Sequence, residues 1–144
     1  MTRFLLDVNV LIALIDPAHV QHDRAHECFA KSGKRAWATC PLTENRVLRI
    51  VGSARYPNSP GTPAAVADLM TGFLALSGHE FWPDDLTLFD SGRVCLDRLL
   101  HAAQVTDSYL LALATAHGGK LATFEQNLVT DAAVNGSQSL HLIA

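Results

Sequence analysis

Four acidic residues stand where a carboxylate can do chemistry. Asp7 directly follows the apolar run Phe4-Leu5-Leu6, and Glu125 follows Leu121-Ala122-Thr123-Phe124 in the same relation. Glu44 lies just beyond a second short apolar run, and Asp107 opens the stretch Ser108-Tyr109-Leu110-Leu111-Ala112-Leu113-Ala114. In a parallel α/β sheet the ligand crevice lies beyond the carboxyl ends of the strands, so acids at those ends converge on one rim. Carboxylates a few ångströms apart raise one another's pKa unless a cation neutralises them. Magnesium or manganese meets that need, because such ions take oxygen ligands, keep several waters and assist phosphodiester hydrolysis. Glu44 and Asp107 have a plain structural reading beside this one, as acids favoured by the dipole in a first helical turn. For Asp7 that reading is weaker, since a carboxylate beside a buried strand needs a specific partner to offset its desolvation.

The elements that must position these acids follow from the hydrophobic pattern. Arg3-Phe4-Leu5-Leu6 reads as a strand running into a helix over Asp7–Ile15, which Asp16-Pro17 stops. His22 to Lys31 reads as an amphipathic helix ended by Ser32-Gly33. Arg35–Thr39 is a second strand, with Thr43 as the cap of a helix through Glu44 to Val51. Tyr56–Gly61 is a loop, and Thr62-Pro63 starts a helix to about Leu76. Glu80-Phe81-Trp82 is a strand, Pro83-Asp84-Asp85 a turn, and Arg93 to Ala102 a further helix. Thr106-Asp107 caps a helix that stops at Gly118-Gly119, and Lys120–Thr123 and Ser139–Ile143 close the sheet. This alternation predicts an α/β/α sandwich, with helices on both faces of a mostly parallel sheet of about four to five strands.

Composition narrows the function. A chain of 144 residues, 49% of them hydrophobic, can bury one sizeable core and is read as a single domain over 1–144. Eleven basic against fourteen acidic residues give a net charge of −3, so no overall positive field draws the protein to nucleic acid and any RNA contact is local. No apolar run approaches the ~18 residues of a membrane span, and the amino terminus lacks the features of a secretory signal, so a cytoplasmic protein is expected. Cys28, Cys40 and Cys95 are odd in number and widely spaced, which suits reduced thiols rather than zinc or redox chemistry.

Four segments taken together resemble the PIN-domain family: Leu5-Leu6-Asp7-Val8-Asn9-Val10-Leu11, Pro41-Leu42-Thr43-Glu44-Asn45, Val105-Thr106-Asp107-Ser108-Tyr109-Leu110-Leu111-Ala112-Leu113-Ala114, and Leu121-Ala122-Thr123-Phe124-Glu125. Their order and spacing match along essentially the whole chain, and within the family they are most similar to VapC-type toxin ribonucleases. The resemblance implies an Mg2+- or Mn2+-dependent endoribonuclease, the toxin of a type II toxin–antitoxin system, with RNA as substrate, a cognate antitoxin and a homodimeric assembly. It implies metal binding by Asp7 and Asp107, an acidic catalytic pocket completed by Glu44 and Glu125, and supporting hydrogen bonds at the cofactor from Asn9 and Thr123. Two positions depart from the family. The final acid is commonly Asp, whereas Glu125 is one methylene longer and is followed by Gln126 and Asn127. Arg46 stands where a small residue is frequent, and it either forks onto a phosphate or lies on a solvated helix face.

Other signals carry less. His19, His22 and His26 lack an H-E-x-x-H context and read as structural. Asp84, Asp85 and Asp90 read as solvated turn acids. The basic residues Lys31, Lys34, Arg35, Arg46, Arg49 and Arg55 line an RNA path only if folding gathers them. The helix from Thr62 to Leu76 and the Leu110-Leu111 helix serve a dimer, an antitoxin or simply the core. Two other functions remain. Asp7-Val8-Asn9-Val10 resembles the opening of haloacid-dehalogenase-like phosphatases, but it lacks their second acid and a G-D-x-x-D-like segment. The chain also reads as a catalytically weak PIN-fold module that only binds RNA or a partner, because fold does not fix function.

Overall fold

A computed structural model describes residues 1–144. Five strands form one sheet: β1 (Phe4–Leu6), β2 (Trp37–Thr39), β3 (His79–Phe81), β4 (Lys120–Thr123) and β5 (Leu140–Leu142), in the order β3-β2-β1-β4-β5. Every pairing is parallel, with Leu5 opposite both Ala38 and Leu121, so all carboxyl ends share one rim. Five α-helices cover the sheet: α1 (Val8–Ile15), α2 (His22–Lys31), α3 (Pro41–Val51), α4 (Pro63–Leu74) and α5 (Gln104–Ala116).

The period-two alternation of the strands sorts the core into two layers. Leu6, Trp37 and Ala122 face α1 to α4, whereas Leu5, Ala38 and Leu121 face α5 and Trp82. Leu110 and Leu111 are fully buried in that second layer, so core packing accounts for the apolar α5. Leu69 on α4 is 47% and Leu76, just beyond its end, 42% exposed. No helix is long and apolar enough to cross a membrane.

Local rules explain the ends of α1. Asp7 caps its amino terminus, while His22 and His26 reach back to the Ala13 and Leu14 carbonyls at 2.7 and 2.8 Å. Those two carbonyls lie in the last turn, where no intrahelical donor is left, so the histidines act as a carboxyl-terminal cap. Just beyond, Asp16 accepts bonds from the Tyr56 hydroxyl and the Asn58 amide, tying the loop after α3 to the end of α1.

Three expectations are corrected in detail. The helix expected over Arg93–Ala102 does not form. Val94 instead makes a β-bridge to Ala133, Cys95 N–H donates to Ala132 at 2.7 Å, and only Leu96–Arg98 makes a 3-10 turn. Thr43 is not the cap of α3, which starts earlier at Pro41. Its hydroxyl accepts from the Cys40 N–H, closing a capping box at 3.1 Å. Likewise α5 starts at Gln104, which places Asp107 inside the first turn rather than at the cap.

The α5–β4 junction is the tightest constraint on the strand that carries Thr123. A Cβ on Gly119 would lie 2.4 Å from the Arg3 carbonyl oxygen and 2.9 Å from the Trp82 ring. Neither neighbour can yield, since Lys120 N–H donates to the same Arg3 oxygen and Trp82 is buried. Gly119→Ala is expected to destabilise the fold by about 2 kcal/mol through overpacking. Urea denaturation of both proteins reads this as a lower midpoint at unchanged slope, and an unchanged midpoint would show that β4 shifts freely.

Candidate active site

Asp7 is held by two donors. As the cap of α1 it accepts the Val8 N–H on Oδ1 at 2.8 Å, and the Thr123 hydroxyl donates to Oδ2 at 2.8 Å. The Thr123 oxygen also accepts from the Asn9 amide and from the Glu125 N–H, both at 3.1 Å. One donated and two accepted bonds use the full capacity of a hydroxyl. This fully buried side chain is therefore the hub that fixes Asp7, Asn9 and the start of the Glu125 loop. Asn9 and Thr123 thus meet as the sequence led one to expect, and they do so because β1 and β4 are adjacent.

Asp107 reaches the same rim from the other layer. Its carboxyl makes no hydrogen bond or ion pair within the protein, and its pKa is pushed from the ordinary 3.8 up to about 6. Desolvation is the largest cause, followed by the negative charge of Asp7; Glu125 adds to it and Arg46 opposes it. Asp7 is 5% exposed, and its pKa is raised first by burial, against the two hydrogen bonds and Arg46. Arg46 is half-buried and its charge acts on both aspartates. Its charge therefore reaches the acids. Arg49 and Arg55 border a separate hollow with Tyr56 further along the chain, so the basic residues do not form one path.

Glu125 is exposed and its side chain folds back to accept the Asn127 N–H at 3.0 Å. Its charge is felt at both aspartates. Glu44 is at the same rim but is engaged elsewhere. The Thr39 hydroxyl lies 2.6 Å from its carboxylate and 2.7 Å from His79 Nε2. Thr39 has one proton, and a carboxylate can only accept. The hydroxyl therefore donates to Glu44, and His79 carries its proton on Nε2 and donates to Thr39. The structure thus brings Asp7, Asp107 and Glu125 into one electrostatic group, with Glu44 held by Thr39. Sequence reasoning missed Thr39 and His79, which only the β2–β3 pairing brings together.

No three His, Cys, Asp or Glu side chains are gathered closely enough to ligate one ion by themselves. The donors that are available, carboxylates, suit a cation that keeps most of its water and needs one or two of them.

The raised pKa of Asp107 fixes the sign of a stability effect. A carboxyl whose folded pKa exceeds its unfolded value binds its proton more tightly when folded. Its ionisation therefore costs stability in full above about pH 6, and the cost vanishes below about pH 4. In EDTA at pH 7.5, Asp107→Asn is expected to melt higher than the wild type. The gain is on the order of 1 kcal/mol after discounting for partial solvent exposure. At pH 4 the two melting temperatures converge. A lower melting temperature for the variant at pH 7.5 would mean that Asp107 stabilises the fold.

Comparison with known proteins identifies the family. The family model of the PIN domain matches residues 4–132. Ribonuclease VapC44 of Mycobacterium tuberculosis is 43% identical over 140 residues, covering 97% of each chain. Ribonuclease VapC39 of the same organism is 40% identical over 128 residues, 89% of this chain and 92% of that one. Among solved structures, VapBC2 from Rickettsia felis bound to a promoter DNA fragment superposes with a TM-score of 0.61 at 13% identity, covering 98% of both chains. Mycobacterium tuberculosis VapC20, a Sarcin-Ricin loop cleaving toxin, gives 0.61 at 11% identity over 86% of this chain and 89% of that one. These structural likenesses bear on the fold, while the sequence relatives carry the kinship. With its five-stranded parallel sheet and its acids at one rim, the chain belongs to the PIN-domain family, alongside the VapC ribonucleases.

Proposed function

We propose that this protein is a divalent-cation-dependent endoribonuclease, the toxin of a type II toxin–antitoxin pair, acting through Asp7 and Asp107. One observation carries this reading: two desolvated carboxylates, from opposite layers of the sandwich, share one rim, where Asp7 raises the pKa of Asp107 and Arg46 is the positive charge acting on both. That arrangement costs stability unless a cation is bound, and its all-oxygen donor set fits Mg2+ or Mn2+. The ion, when bound, supplies Lewis-acid stabilisation of charge developing on the phosphodiester and acidifies water. Asp7 and Asp107 would hold it. Thr123 and Asn9 keep Asp7 in its orientation, the carboxylate of Glu125 would accept a proton from the attacking water, and Glu44 would do so only on leaving its bond to Thr39. Arg46 would meet a non-bridging phosphate oxygen with its fork of donors.

The kinship with VapC ribonucleases and the likeness to a VapBC complex support ribonuclease activity and an antitoxin partner, and exposed Leu69 on α4 and Leu76 just beyond it offer apolar surface for that partner or for a second copy. None of these relatives is a phosphatase, so the likeness of Asp7–Val10 to that class gains no support.

The purified protein is expected to cleave single-stranded RNA with Mg2+ or Mn2+ and to stop in EDTA. Asp7→Asn and Asp107→Asn should each lose at least about a hundredfold in rate, as removal of a main charge-stabilising group does. Gel analysis of labelled RNA reads this directly. Full activity in both variants would overturn the site assignment. Tight RNA binding without cleavage under either metal would leave the binding-module reading.

A further inference from the structure

A cleft of about 330 Å³ opens beside Asp107, bordered by His101, Gln104, Asp107, Glu125 and Asn127. Most of its polar lining is hostile to RNA. Carboxylates only accept hydrogen bonds, and they repel phosphate. The Gln104 amide is already committed, because it is 6% exposed and spends its groups on the preceding loop. Its Oε1 accepts from the Leu100 and His101 N–H groups, both at 2.9 Å, and its Nε2 donates to the Arg98 carbonyl at 3.2 Å. A buried amide spent on three backbone groups is a costly way to build a loop unless the loop must hold its place. What it holds is His101, whose exposed ring is the only side chain bordering the cleft that can carry a positive charge.

Resting on the nuclease reading, we propose that His101 is a substrate-positioning residue whose ring N–H contacts an RNA phosphate flanking the scissile one, with Gln104 fixing the loop that presents it. Arg46 acts on the acids from α3, and His101 borders their cleft from the loop before α5, so the two donors come from separate elements. An RNA strand crossing the acidic rim is gripped at two points while the scissile bond is presented to the carboxylates. In a protein of net charge −3, local donors of this kind supply the attraction that the overall field does not.

The test uses fluorescence anisotropy with a short fluorescein-labelled single-stranded RNA on the otherwise wild-type protein in EDTA, where the probe is not cut. His101→Ala is expected to raise Kd at least about fivefold, the equivalent of about 1 kcal/mol. His101→Lys should keep most of the affinity, and His101→Phe should not. An unchanged Kd in the alanine variant, no RNA binding by the wild-type parent, or full affinity in the phenylalanine variant, which would indicate base stacking, each overturns the assignment. A parallel cleavage assay of the wild type separates the two claims. Absence of cleavage together with His101-dependent binding counts against the nuclease reading while upholding this contact.

Discussion

The burial of Asp7 is the constraint from which the rest of the site follows. A carboxylate at the end of a central parallel strand has lost its water on two sides, and it stays ionised only if donors and charges around it make up the loss. Two donors do part of this, the Val8 N–H and the Thr123 hydroxyl. Glu125 works against it by adding negative charge, and Asp7 in turn raises the pKa of Asp107 at the same rim. A fold whose only need was stability would not collect these groups; the proposed cation site would account for their being together.

The sheet supplies the precision. Pairing of β1 with β4 sets Leu6 against Ala122, so the residues that follow, Asp7 and Thr123, meet within hydrogen-bonding distance though they are far apart in sequence. Capping at both ends of α1 then fixes the helix that carries Asn9, with His22 and His26 closing the far end. Thr39 does for Glu44 what Thr123 does for Asp7, and β2–β3 pairing brings His79 to the same hydroxyl. Each catalytic candidate on the sheet side thus has a buried threonine from a strand terminus as its orienting partner.

Much of this was legible in the sequence, because parallel strands read as apolar runs and the acids stand directly after them. Asp7, Asn9, Thr123 and Asp107 were readable on those grounds together with the resemblance. The helix over Arg93–Ala102 was not real although its leucines recur at helical spacing. Leu96 is 43% and Leu100 74% exposed, so no apolar face was available to repay helix formation, and a bridge to Ala133 took its place. Thr39–His79 and the orientation of Arg46 were unreadable because they depend on strand register and on which layer a helix joins. The Gln104 clamp was hidden for another reason: a glutamine at a helix start signals nothing until its backbone partners are known.

The central claim, that Asp7 and Asp107 are held in an unfavourable array in order to bind a divalent cation, is tested most directly by calorimetric titration of Mn2+ into the metal-free protein without RNA. The account predicts saturable binding by the wild type, lost in Asp7→Asn and in Asp107→Asn, with protons released on binding at pH 6, where Asp107 is partly protonated. Absence of saturable binding, or equal binding by wild type and both variants, would contradict it.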